Sequence, residues 1–450
     1  MQPAGPDIQP PPLLQQAAAA CSRAGSSSPP VCAGAVDAYV WGYPLVVMSD
    51  TRTRLACLVG VNRLLNGKHL SGPSSTAVVA PNNDTLYSTA FLDLRAAPVV
   101  LTVPAVSGRY VNFQLLDMYT NTFADLGVLT DGGKGGRYAI VGPGWKGTIP
   151  PGVRRIDAPT PDVWLLGRTA VNGPGDLADA VAVQRGYALS VLRRHGGGTT
   201  GGKSTLDCGA GAAAPDTSSI SFFDQMSADM AADPALPQDG AVVRAMAAAG
   251  IAAGERPTSV RSRTASYRLA LRIGAQLILE GTSDLGGTAS GGWTSPALAG
   301  TFGTEYVARA VIAEFGLGEQ VLSQAVYLSA TADSSGQRLS GAHGYELVFA
   351  KGHLPPFGPD GFWSVTMYNS RNFLVANAIG RYSIGNRTPG LVYGPDGSLT
   401  IVMSSSRPKT PGANWLPCPA GTFRLSMRIY APAAAASDGR WLPPPIERLA

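Results

Sequence analysis

Charge is scarce in this chain of 450 residues: 14% are Asp, Glu, Lys or Arg, and 35 basic against 30 acidic side chains leave a formal charge of +5. No basic run interleaved with aromatics occurs, so nucleic acid is set aside as a partner. Histidine is scarcer still, and the four residues His69, His195, His343 and His353 are scattered, which argues against an imidazole metal cluster. The five cysteines, Cys21, Cys32, Cys57, Cys208 and Cys418, are odd in number and form no C-x-x-C pair. Neither a zinc site nor a full disulfide framework is indicated, although a Cys21 to Cys32 bridge stays open. No cofactor is predicted, and composition leaves open an all-oxygen Ca²⁺ or Mg²⁺ site.

Long apolar runs are also missing. No uninterrupted stretch reaches the ~18 to 20 residues of a membrane span, so a soluble protein is expected. The first 30 residues lack the basic start and apolar middle of a signal peptide, which leaves a cytosolic protein, a mature chain, or a start that is incomplete and an exported location. No G-x-S-x-G elbow, H-E-x-x-H pair, EF-hand loop or dinucleotide fingerprint occurs, and the commonest hydrolase, metalloprotease and dehydrogenase signatures go with them.

What is present is apolar and turn-rich. Hydrophobic residues make up 45% of the chain, with Gly 55 and Pro 36, and much of that excess separates short apolar runs, as in β-rich folds. Residues 1–33, rich in Pro, Ala, Ser and Gln, are expected to be disordered. From Ala35 the apolar spacing predicts a helix kinked at Pro44, and from Val78 to Thr169 short period-two runs predict an antiparallel β-sandwich, closing a domain over 34–195. A Gly-rich linker at 196–202 leads to a mainly helical domain over 203–335. Strand patterns return over 336–450 as a second β domain. Gly197 to Ser204 matches G-x-x-x-x-G-K-[ST], but the helix-like Val183 to His195 before it and the Gly-rich stretch after it fit a linker better than a phosphate loop.

The densest chemistry lies in Asn82-Asn83-Asp84-Thr85. These side chains either cap a turn before a strand or converge on a ligand, with Tyr87 two residues beyond. Tyr110, Asn112 and Gln114 share one strand face, which is either solvated or a pocket wall. Asp117, at that strand's end, is placed to work with Asp84 as acid and base or to pair with Arg109. In the C-terminal half, Trp363, Arg381, Tyr382 and Trp415 combine aromatic rings with hydrogen-bonding groups, which suits sugars and other ring-bearing ligands.

Several longer motifs carry a resemblance. Ala38 to Pro44, Pro81 to Tyr87, Gly108-Arg109-Tyr110 with Gln114 to Asp117, and Val141 to Trp145 resemble domain of unknown function 1254. Trp363 to Tyr368, Asn377 to Gly385 and Asn414 to Pro417 with Pro419-Ala420-Gly421 resemble its usual partner, domain of unknown function 1214. The resemblance implies an N-terminal β-sandwich, a middle helical domain and a C-terminal jelly roll, and it brings no catalytic assignment. The resulting expectation is an enzyme acting on a small molecule or saccharide in a cleft between the β domains. Asp84 and Asp117 would be the acid and base, Asn83, Arg109 and Gln114 would bind substrate, and Tyr87, Trp363, Arg381, Tyr382 and Trp415 would complete the walls. The alternative is a noncatalytic ligand-binding or surface protein.

Overall fold

The computed structural model describes residues 12–76, 80–192, 216–282 and 289–449. Helices α1 (Pro12–Arg23) and α2 (Pro29–Val59) open the chain. A β-rich stretch follows: β1 (Leu65–Asn66), β2 (Thr85–Asp93), β3 (Val99–Val103), β4 (Val111–Leu116), β5 (Thr122–Gly127), α3 (Val128–Asp131), β6 (Gly136–Val141), β7 (Arg154–Asp157), β8 (Asp162–Ala170), α4 (Leu177–Gln184) and β9 (Ala188–Val191). The middle part holds α5 (Ser221–Ala232), α6 (Gly240–Ala248), α7 (Thr264–Glu280), β10 (Ala289–Ser290), β11 (Trp293–Thr294) and α8 (Tyr306–Phe315). The C-terminal part holds β12 (Ala325–Ala330), β13 (Tyr345–Phe349), β14 (Phe357–Asn369), β15 (Ser383–Gly385), β16 (Leu399–Ser404), β17 (Asn414–Pro417), β18 (Phe423–Pro432), α9 (Ala434–Ser437) and β19 (Ile446–Arg448).

The fold is a multidomain mix of α and β built on mainly antiparallel sheets. The first sheet runs β1-β2-β8-β4-β5 and the second β7-β6-β3-β9; the third runs β10-β11-β12-β18-β14-β15 and the fourth β17-β16-β13-β19. Alternation decides the packing, because successive strand residues point to opposite faces. Leu92, Phe113, Leu115, Val163 and Leu165 of the first sheet share a core with Leu101 and Ile140 of the second. Val365, Met367, Leu425, Met427 and Ile429 of the third share another with Leu347, Ile401 and Met403 of the fourth. The third core is helical: α2 is apolar all round and is enclosed by α5, α6, α7 and α8. Two glycines let it be. A Cβ on Gly42 would fall 2.1 Å from Met226 Sδ, and one on Gly34 would fall 2.6 Å from the Ala245 carbonyl.

Two sequence expectations change, and a third feature bears on membranes. The expected disordered segment contains α1, whose Ala17 and Cys21 are fully buried and which a Cys21–Cys32 disulfide ties to α2. Its Ala-rich composition supports a helix once α2 offers an apolar surface to cover. By length and composition α2 suffices to cross a bilayer, yet 83% of its most apolar window is buried in the protein, as in a core helix; Asp37 and Pro44 break the run that a sequence scan looks for. The segment expected as a helix from Val183 to His195 is not one helix over its described part: α4 ends at Gln184, and Ala188–Val191 pairs with β3 as a strand. The linker at 196–202 and the Gly197 to Ser204 motif lie outside the described residues.

Candidate functional site

The first and third sheets each use one face for a hydrophobic core, and the opposite faces are polar. On the first sheet the cross-strand rows read Tyr87–Arg168–Asn112, then Thr89–Leu166–Gln114, with Asp125 of β5 opposite Gln114. On the third they read Tyr327–Arg428–Ser364, then Ser329–Ser426–Thr366, with Arg424 opposite Tyr368. Each face thus sets an arginine on its middle strand between a tyrosine and a short polar side chain. A polar sheet face is ordinarily solvated. Here Arg168, Asn112, Gln114, Ser364, Thr366, Ser426 and Arg428 are all buried. The two polar faces meet, since Tyr327 stands close enough to Arg168, Arg428 and Tyr87 for all three to act electrostatically on its phenol.

Burial without solvent requires polar groups to find partners. Arg168 donates to Gln114 Oε1 at 2.9 Å and to the Gly318 carbonyl at 2.5 Å, and its guanidinium lies 5.7 Å from the centre of the Tyr87 ring. Arg428 donates to Thr366 Oγ1 and to the Ala80 carbonyl, and its guanidinium lies 5.7 Å from the centre of the Tyr368 ring. Asn112 donates to Asp125 Oδ1 and to Gln324 Oε1, and Gln320 donates to Tyr110 and to Asn112.

Glu319 is the exception. It lies on the segment between α8 and β12, close enough to Arg168, Arg424 and Arg428 to feel all three. Among the described residues no cation comes within ion-pair distance, 4.0 Å, of its carboxylate. Burial pushes this carboxyl from the ordinary glutamate value of 4.5 up to about 7 against the pull of the arginines. Glu319, Tyr87 and Tyr327 nevertheless keep partial exposure, so solvent reaches these three residues. Burial also pushes Tyr327 up to about 12, so its phenol stays protonated as a hydrogen-bond donor at neutral pH.

Residues 80–84 clasp the two β units together. Ala80 N donates to the Asn372 carbonyl, and the Ala80 carbonyl accepts from Arg428. Tyr368 donates to the Pro81 carbonyl at 2.9 Å, and Asn82 Nδ2 donates to Tyr430 at 2.7 Å. Asp84 accepts from Ser364 at 2.6 Å and forms an ion pair with Arg387 at 3.0 Å. Asn82 also caps the turn, its Oδ1 accepting the Asp84 N–H at 2.6 Å. Both readings of the polar cluster miss this main role: its groups bond across the seam.

The expected acid–base pair is not formed. Asp84 precedes Thr85, which is opposite Ala170 of β8, while Asp117 follows Leu116, which is opposite Trp164. Six residues along one strand separate the two by about 20 Å. Asp117 caps its own turn, accepting the Tyr119 and Asn121 N–H groups at 2.9 Å each. Arg109 pairs with neither: it binds Asp176 through two hydrogen bonds and donates to the Ala170 carbonyl. Trp363 and Trp415 are buried, the first in the core of the third and fourth sheets and the second donating its indole N–H to the Ser404 carbonyl. Arg381 donates to the Trp415 carbonyl, and the Tyr382 carbonyl accepts the Met367 N–H. Asn83 bonds Ser71 and Ser383. Of the ten expected residues, Asp84 joins the two units across the seam, and Tyr87 and Gln114 stand on the polar face of the first sheet.

Arg168, Glu319, Tyr327, Arg428 and Tyr430 were missed, because a strict apolar–polar alternation such as Arg424-Leu425-Ser426-Met427-Arg428-Ile429-Tyr430 reads as a half-solvated strand. The density of arginine and tyrosine on that face is the signal that was available. Among the described residues no three His, Cys, Asp or Glu side chains converge as a cation site requires. One surface cleft, of about 460 Å³, lies beside Trp293 and Trp441, away from the seam.

Comparison with known proteins bears on both halves. The profile of a protein of unknown function (DUF1254) matches residues 61–191, and that of another protein of unknown function (DUF1214) matches residues 324–434. No curated protein matches the chain. Among solved structures it is similar to a crystal structure from Vibrio parahaemolyticus, with a TM-score of 0.70 and 23% identity, covering 93% of this chain and 100% of that one. A further likeness, to an uncharacterised protein from Burkholderia cenocepacia, has a TM-score of 0.42 and 13% identity over 97% of this chain and 94% of that one. The Vibrio likeness is one of fold. Tyr87 and Arg168 fall in the first matched region and Tyr327 and Arg428 in the second, and the chain belongs to the bipartite family in which DUF1254 is followed by DUF1214.

Proposed function

We propose that this protein is an enzyme acting on a small molecule, saccharides included, in the space between the two polar sheet faces, with Glu319 as its general acid and base. One observation carries the reading: Glu319 is largely enclosed, its carboxylate has no ion-pair partner among the described residues, and the residue still keeps partial exposure. A carboxyl that exchanges its proton near neutral pH serves equally as donor and acceptor at the operating pH. Tyr87 and Tyr327 bring phenol donors, and Arg168, with Gln114 holding its fork, polarises a bound group. The chemistry this supports is proton transfer, as in a lyase or hydrolase. We also read each pair of sheets that shares a core as a β-sandwich, the C-terminal one of jelly-roll type, as the family resemblance implies.

The test is a turnover screen of small molecules by mass spectrometry, comparing wild type with Glu319→Gln. Turnover lost in the variant, at an unchanged or higher melting temperature, supports the reading; an active variant refutes it. Loss of ligand binding together with turnover in Tyr87→Phe would place the substrate against that wall. A noncatalytic binding role is favoured by one observation, the clasp at residues 80–84, which commits the chain's densest polar cluster to joining the two units.

A further inference from the structure

The charges in the seam do not balance. Arg168, Arg387, Arg424 and Arg428 bring four guanidinium groups, and Asp84, Asp125 and Glu319 bring three carboxyls. Asp84 is matched to Arg387. Asp125 takes a hydrogen bond from Asn112 and acts on Arg168 from beyond ion-pair distance, and burial raises both its carboxyl and that of Glu319 toward the neutral form. Among the described residues, Arg168, Arg424 and Arg428 have no carboxylate within 4.0 Å. A guanidinium does not shed its proton, and an unmatched buried cation is costly.

The donors are also incompletely used. Arg424 donates to Asn372 and Ser329 while its buried Nε has no partner. Among the described residues, Arg168 donates two hydrogen bonds, and Arg428 bonds Thr366, the Ala80 carbonyl and Tyr368, all neutral oxygens, so neither guanidinium with its five N–H groups meets a charged acceptor. A planar oxyanion is the species that guanidinium forks match with two parallel hydrogen bonds.

We propose that the seam binds a small organic oxyanion, a carboxylate or a phosphate ester, between Arg168 and Arg428, with Tyr87 and Tyr327 beside it and the Glu319 carboxyl facing the adjoining atoms. The inference rests on the reading of this space as the working site and adds the chemical class of what enters it. Binding the anion completes the charge of the seam; Glu319, Asp125 and Asp84 are the acidic groups that oppose it.

The test is isothermal titration of the full-length protein with matched probes: succinate and benzoate, their neutral amides succinamide and benzamide, and methyl phosphate as the phosphate arm. At least one oxyanion is expected to bind about tenfold or more tightly than its neutral counterpart, and Arg168→Gln and Arg428→Gln are each expected to weaken it by about tenfold or more. Arg168→Lys, which keeps the charge and loses the fork, serves as the control should Arg168→Gln fold poorly; it is expected to fall between the two. Glu319→Gln is expected to bind the anion as tightly or more tightly.

Failure of every oxyanion probe to bind overturns the proposal. So does binding that ignores both arginine substitutions. If a neutral amide binds as well as its acid and Tyr87→Phe weakens it, the anion is wrong and the seam survives as the site. If a probe binds and no seam substitution alters it, both fall.

Discussion

Keeping Glu319 ionised inside the seam costs folding free energy, and pH exposes that cost. Its carboxyl releases a proton near 4.5 when exposed and at about 7 when folded. Between those values the folded chain holds a proton that the unfolded chain has lost, so this group's contribution to stability falls as pH rises through the window and stays low above 7. Glu319→Gln is therefore expected to be more stable than wild type at pH 8 by on the order of 2 kcal/mol, after discounting for the partial exposure of the carboxyl. The difference should fade toward pH 4.5, as denaturant titrations at the two pH values will show. Neutralising Asp84 should have the opposite effect on stability. Asp84→Asn leaves the Arg387 guanidinium buried and unmatched and is expected to cost about 3 kcal/mol, whereas Asp117→Asn keeps a turn-capping oxygen and should cost well under that. At this scale the sequence disclosed that residues 82–85 matter, since four adjacent polar side chains exceed the needs of a turn. It did not disclose their partners Ser364, Arg387 and Tyr430, because pairings across about 280 to 350 residues leave no local pattern.

Elements were more legible than residues. Period-two runs located β2, β3, β4, β8, β13, β16 and β18, and helical spacing located α5 to α8, since both patterns follow from one buried face. What periodicity withholds is the fate of the other face. Alternation puts Tyr110, Asn112 and Gln114 on one face and leaves open whether water or protein covers it; Gln320 and Gln324 bond Tyr110 and Asn112 there. Helix α1 was lost because composition alone argued for disorder, while its stability comes from α2 and from the Cys21–Cys32 bridge. Replacing both cysteines with alanine is expected to cost about 3 kcal/mol and to make α1 the first site of limited proteolysis. Gly42→Ala is expected to destabilise through α5, because the added methyl must displace Met226; a lowered melting temperature, partly restored by Met226→Ala, checks it.

Across the whole molecule, the two matched family regions each supply one polar wall, and neither wall is complete alone. This accounts for their joint occurrence in one chain with a physical reason: Arg168 and Arg428 sit on different sheets, and the clasp of residues 80–84 holds those sheets in register. The sequence indicated two β units with helices between them; the carboxyl it singled out, Asp84, joins those units, and it passed over Glu319. The central claim is that Glu319, in the seam, has a proton affinity suited to acid–base work, and carbon-13 NMR of glutamate-labelled protein tests it directly. With Glu319→Gln used to assign the signal, the Glu319 carboxyl carbon is expected to titrate with a midpoint near pH 7. A midpoint between about 4 and 5, the range of an exposed glutamate, would contradict the account.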